Sequence, residues 1–328
     1  MLSLRAARLV VPLAVYGVVA FYVYEPYSRH EGLSRYIVPV ASVAASLGCF
    51  VLSRRWIAAL PGSLVAGLTY GYGPFFLSFI FYHPLIVLFL AAIPWLFCPA
   101  AFWPLGNNRF VRTFATILLS LVPFLCVFFF FALCNRAGFF PVPKQAKLHL
   151  ADMAALATPL ALRPDRFSLS FYHVPVAGLV AGAVMFAAAR RFRVGIIAAA
   201  GLVLAFCKPV WGVSPVVWAA MTVLCGSVVI GAGLQALSWA TEKDQQWVLI
   251  CGLVLAILAL GTALVGQIAA RVYLSAARMY GLGALAVFII FFMARARTRA
   301  CWIRWLILAL AAGVDIVATA RAIVDRAI

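Results

Sequence analysis

Charge is what this chain of 328 residues has least of. Only 10% of its positions are Asp, Glu, Lys or Arg, and 8 are acidic, where a soluble globular domain carries charge on about a quarter of its residues. With 66% hydrophobic residues and a mean hydropathy of +1.09, a soluble fold is excluded. Motifs are missing too. No CxxC pair occurs, no histidine stands at zinc-finger spacing, and no catalytic or nucleotide-binding signature of high specificity is present. The cysteines, Cys49, Cys98, Cys126, Cys134, Cys207, Cys225, Cys251 and Cys301, lie in or beside apolar runs and read as small buried hydrophobes. Only Cys134 and Cys207, both near outer helix ends, have a geometry in which a disulfide is conceivable. The sequence thus specifies no metal and no cofactor. Lysine is confined to Lys144, Lys147, Lys208 and Lys243, so the net charge of +18 is almost wholly arginine, the better fork for phosphate or carboxylate. In a soluble protein such an excess would suggest nucleic acid. Loops that obey the positive-inside rule generate it unaided, and no nucleic-acid partner is expected.

What the chain has in abundance is apolar length. A membrane helix needs about 20 apolar residues, and eleven stretches approach or meet that: 8–24, 36–52, 57–81, 84–103, 113–134, 174–189, 194–211, 214–238, 247–270, 272–293 and 302–320. The fold class is therefore all-α, a polytopic transmembrane bundle of about eleven spans. The basic residues fall between the spans in alternation. Fourteen of them (Arg5, Arg8, Arg54, Arg55, Arg109, Arg112, Arg190, Arg191, Arg193, Lys243, Arg295, Arg297, Arg299 and Arg304) share one side, opposed there only by Glu242 and Asp244. That places the N-terminus inside and the C-terminus outside. Arg5 and Arg8 before an apolar run resemble a signal peptide, with Val18-Val19-Ala20 a passable cleavage site. The run continues past Ala20, which favours an uncleaved first span. The expected location is the cell inner membrane.

The chain divides into spans one to five (1–134), an extracytoplasmic loop (135–173) and spans six to eleven (174–328). A loop of that length is usually functional or disordered, and this one is not composed like disorder. Lys147 to Thr158 reads as a short helix stopped by Pro159, with Leu150, Met153, Ala154 and Ala157 on one apolar face and His149 and Asp152 on the other. Arg163-Pro164-Asp165-Arg166 makes a charged turn.

All four histidines, His30, His83, His149 and His173, lie on the outer side of this topology. So do Arg29, Arg35, Arg136, Lys144, Lys147, Arg163, Arg166, Lys208, Arg271 and Arg278, which topology does not require there. Charge inside a span defaults to a functional hypothesis, which singles out Lys208, Arg271, Arg278 and Asp315. Lys208 and Arg271 are close enough to the surface to snorkel, and Arg278 and Asp315 are the expected ion pair. Pro61, Gly62, Gly67, Gly71, Gly73 and Pro74 interrupt the third span and Pro84, Pro94, Pro99 and Pro104 the fourth. Such breaks either line a groove, here walled by Tyr70 and Tyr72, or serve close packing. Gly178 and Gly182 read as a packing motif.

Three functions fit. In the first, the protein acts at its extracytoplasmic face on an anionic, lipid-linked substrate, as a transferase or lipid-handling protein. Arg163, Arg166 and Arg278 would hold the anion, His149 or His173 would serve as general base, and Asp152 would orient the imidazole. In the second it is a permease for an anionic or amphiphilic solute along Lys208, Arg278 and Asp315. In the third it is a non-catalytic subunit that assembles with membrane protein partners. Membrane lipids are partners in all three.

Overall fold

A computed structural model describes residues 2–29, 34–102, 109–156, 158, 167, 169–268, 271–298 and 300–327. The helices are α1 (Leu2–Val23), α2 (Ser34–Ser53), α3 (Leu60–Gly71), α4 (Pro74–Ser78), α5 (Pro84–Phe102), α6 (Arg109–Arg136), α7 (Pro175–Ala188), α8 (Phe192–Phe206), α9 (Ala219–Ser238), α10 (Gln245–Ile268), α11 (Arg271–Arg295) and α12 (Cys301–Ala327). Among the described residues there is no strand, only an isolated bridge between Val210 and Val213. Among the described residues eight helical segments are long and apolar enough to cross a membrane. Three shorter apolar helices, Leu9–Val23, Pro175–Ala188 and Phe192–Phe206, stand at the other expected positions.

The middle of the bundle is α9, which packs on α3, α7 and α8, while α2 is flanked by α3 and α5, and α10 pairs with α11. By contrast α6 packs chiefly against α5 and leaves Phe114, Leu118, Leu125, Phe129 and Leu133 exposed, as suits a helix facing lipid. The α7–α9 crossing depends on Gly178 and Gly182, the expected packing motif, meeting Gly233. A methyl group on Gly233 would run into the Gly178 carbonyl oxygen, and one on Gly178 would stand 2.8 Å from the Ile230 carbonyl. Gly233→Ala is expected to destabilise the protein by about 1–3 kcal/mol. Gly313→Ala, in a helix with nothing within 4 Å of the added carbon, should instead gain stability by roughly 1 kcal/mol. Thermal unfolding in detergent measures both, and equal midpoints would contradict so close a crossing.

The third span is broken as the sequence suggests. Its helix stops at Gly71 and resumes at Pro74, and the freed Tyr72 carbonyl accepts a hydrogen bond from the Tyr172 hydroxyl. The fourth span is not broken. In α5 the helix runs unbroken past Pro94 and Pro99, because the Leu90 carbonyl that Pro94 cannot serve accepts the Tyr70 hydroxyl at 2.9 Å. Tyr70 and Tyr72 are therefore fully buried core residues, the Tyr72 hydroxyl bonding the Tyr16 carbonyl at 2.6 Å, and they do not wall a groove. In the long loop the expected helix over 147–158 is a shorter 3-10 helix, Leu150–Leu156. The stretch before it is tied to the bundle rather than lying free, since the Leu148 amide bonds the Ala205 carbonyl at 3.1 Å and the Ala146 carbonyl accepts the Val216 amide at 3.0 Å. Cys134 and Cys207 carry free thiols.

Candidate functional site

The far end of the bundle brings together two residues that the sequence singles out separately. His173 ends the long loop, two residues before the Pro175 that opens α7, and Asp315 comes from α12; both are buried. One Asp315 oxygen accepts the backbone amides of His173 at 2.8 Å and Val174 at 2.7 Å. The other meets His173 Nδ1 at 2.7 Å and accepts the Thr319 hydroxyl at 3.3 Å. A carboxylate from one helix thus caps the amino end of another, where it complements the helix dipole. The imidazole stands edge-on to the Tyr280 ring, centroids 4.8 Å apart, and its Nε2 is buried without a partner among the described residues. Tyr172, beside it, is held in the left-handed region at φ 65°.

This corrects the expected Arg278–Asp315 ion pair: Asp315 is paired with His173, and Arg278 is exposed on α11. Asp152 is buried, and one of its oxygens accepts the backbone amide of His149 at 2.8 Å, while the Asp152 amide returns a bond to the His149 carbonyl. It therefore fixes the start of the 3-10 helix, in the reciprocal manner of a helix cap. The His149 side chain is exposed, as is Lys208. Arg163 and Arg166 lie outside the described residues, as does the side chain of Arg271. Among the described residues no three His, Cys, Asp or Glu side chains converge to hold a metal ion.

A second site lies at the opposite, arginine-rich end, and sequence reasoning missed it. A half-open cavity of about 610 Å³ is walled by α2, α5, α6, α8 and α9. Arg55, Arg190, Arg191 and Arg193 stand on it, Thr113, Thr116 and Ser120 line it from α6, and Phe97, Leu224 and Val228 supply apolar wall. Among the described residues no carboxylate lines it. The acid closest by in sequence at this end, Glu242, is engaged elsewhere, 2.6 Å from Arg297. That hydrogen bond holds the Glu242 carboxyl below its ordinary value. With the folded-state value lowered, whatever the exposed pair contributes is present near neutrality and lost as pH falls through it. Four cations around one apolar recess repel one another, and an anion there would relieve the repulsion through charge-assisted hydrogen bonds.

The turn that presents three of these arginines is strained. After α7 the Arg190 amide bonds the Ala187 carbonyl at 3.0 Å and the Arg191 amide bonds the Phe186 carbonyl at 2.9 Å. In this helix-ending motif glycine is the usual left-handed residue. Here Arg190 occupies that position at φ 51°. No side chain caps the amino end of α8 that follows, so its first amides add to the positive potential. Arg190→Gly is expected to raise stability by roughly 0.5–1 kcal/mol while weakening anion retention. A variant that loses stability would contradict strain at this turn.

The signal that could have exposed the cavity was the run Thr113, Thr116 and Ser120, hydroxyls on one face of an otherwise apolar span. No family model matches the chain, and no curated protein or solved structure matches it.

Proposed function

We propose that this is a polytopic membrane protein of eleven spans that binds an anionic, lipid-linked substrate, with the anionic head in the arginine-lined cavity. The observation that carries this reading is four arginines on a recess with Phe97, Leu224 and Val228 in its wall and, among the described residues, no lining carboxylate. An amphiphile with a phosphate or carboxylate head matches both halves of that surface. Under the positive-inside rule this end faces the cytoplasm, so the head is taken from the inner leaflet and not at the extracytoplasmic face. A transferase and a lipid-handling protein would share such a head-group site. The acid-poor interior argues against a proton-coupled permease, because the Asp315 carboxylate deep in its span is committed to capping α7.

A second reading, chemistry at the outer face, has His173 in its favour: Asp315 fixes Nδ1 and leaves Nε2 without a partner among the described residues. An imidazole so oriented has the arrangement of a general base.

Native mass spectrometry of the gently solubilised protein separates the two. An anionic lipid retained by the wild type and by His173→Gln, but lost at raised salt or on removing cavity arginines, is the expected result. Retention that depends on His173 and ignores the arginines would support the outer face. A bare protein, or one carrying only neutral lipid, would overturn the anionic reading.

A further inference from the structure

A second, separate cavity lies further along the same helix. Along α6 the lining residues of the arginine cavity are Thr113, Thr116 and Ser120, and Phe124 and Phe128 continue the same face at helical spacing. Those two phenylalanines line the second cavity, about 290 Å³ and apolar, closed from the other side by Leu204, Val210, Trp211 and Trp218. Phe124 stacks on Trp218 with centroids 5.7 Å apart, and Phe128 meets Trp211 edge-on at 5.4 Å. The Trp211 ring is set there by a tight turn, Trp211 at φ 52° and Gly212 at φ 76°. One face of α6 therefore passes from hydroxyls beside arginines to aromatic rings further along the helix, and a separate cavity lies on each part of it.

We infer that these cavities form one binding track for an anionic lipid whose hydrocarbon chain is longer than a leaflet, a polyprenyl-phosphate type of lipid. The phosphate sits among Arg55, Arg190 and Arg193, and the chain follows α6 toward Trp211. The inference rests on the head-group reading proposed above and adds the chain. Length decides the class. From Thr113 to Phe128 a helix rises about 22 Å at 1.5 Å per residue, whereas one leaflet of a roughly 30 Å hydrocarbon core is about 15 Å deep. Acyl chains of a phospholipid anchored at the arginines end near the midplane and leave the aromatic cavity unfilled. An isoprenoid chain passes through the midplane, and its methyl branches suit the Phe and Trp rings.

The test compares two probes with the same phosphate chemistry: a long-chain polyprenyl phosphate and phosphatidic acid with ordinary acyl chains, each offered to the full-length protein in detergent. Polyprenyl phosphate is expected to be retained at least about tenfold better, since chain burial adds affinity with every methylene. Leu204→Trp, which fills the far cavity, should remove that preference and leave phosphatidic acid unchanged. Trp211→Ala serves as a second variant, because that ring is 75% exposed and its removal needs no core repacking; it should lower polyprenyl phosphate retention severalfold. Equal retention of both probes by the wild type, or a preference that survives both variants, would overturn the long chain and leave the head-group site standing. Binding of either probe that ignores Arg55→Ala and Arg193→Ala together would overturn the head-group site itself.

Discussion

Asp315→Ala is expected to lower stability by about 3–5 kcal/mol, the range for breaking a buried charged pair by removing one partner. The side chain is fully buried and accepts from two backbone amides, the His173 ring and the Thr319 hydroxyl. Alanine strands the two amides just ahead of α7 and the imidazole nitrogen together. Water has no easy route to replace the lost acceptor, and each unsatisfied buried group carries its own penalty. Asp315→Asn keeps one oxygen for the amides but turns an NH₂ toward the remaining donors, so its loss should fall between wild type and alanine. Arg278→Ala, at an exposed position, should stay within about 0.5 kcal/mol of wild type. Thermal unfolding in a single detergent checks all three. If Arg278→Ala were as damaging as Asp315→Ala, the pairing of Asp315 with His173 would be wrong.

The second large effect concerns binding. Removing Arg55 and Arg193 together is expected to reduce retention of an anionic lipid by about a hundredfold or more, because each hydrogen bond to a charged group contributes about 1.5–3 kcal/mol. The two come from the turn after α2 and from the first turn of α8, so the double variant empties two sides of the recess. Both side chains are exposed, and their loss should leave folding nearly unchanged. Screening separates charge from shape. Retention by the wild type should fall with salt, while retention of a neutral lipid should not. Loss of neutral and anionic lipid alike would instead indicate a collapsed cavity.

Hydropathy alone carries much of the fold. Each apolar stretch read from the sequence contains a helix, and the interruption at Gly71, Gly73 and Pro74 falls where those residues place it. Pro94 misleads because a hydroxyl from another helix, on Tyr70, takes up the carbonyl that proline leaves. Nothing near Pro94 in sequence reports that bond. Candidate residues were legible singly and not in combination. His173 and Asp315 both stand out, yet they lie 142 positions apart, and helix neighbours cannot be read from one sequence, so Arg278 was the partner that charge suggested. The arginine cavity was hidden differently. Positive-inside topology accounts for Arg55, Arg190, Arg191 and Arg193 so completely that no further role is demanded of them, and only packing shows them meeting around one recess.

Arg304 makes the same point. By charge it belongs to that topological set, but it is buried, and its guanidinium bonds the Ala240 and Thr298 carbonyls. It pins two connections at the arginine-rich end to each other. Arginine there is a structural fork as well as a topology signal.

The measurement that bears most directly on the central claim is a cryo-electron microscopy map of the protein in nanodiscs of native lipid extract. The expected result is an elongated density with its head within hydrogen-bonding distance of Arg55, Arg190 and Arg193 and its tail against α6. A recess holding only solvent, with ordered ligand density instead beside His173 at the far end, would contradict it.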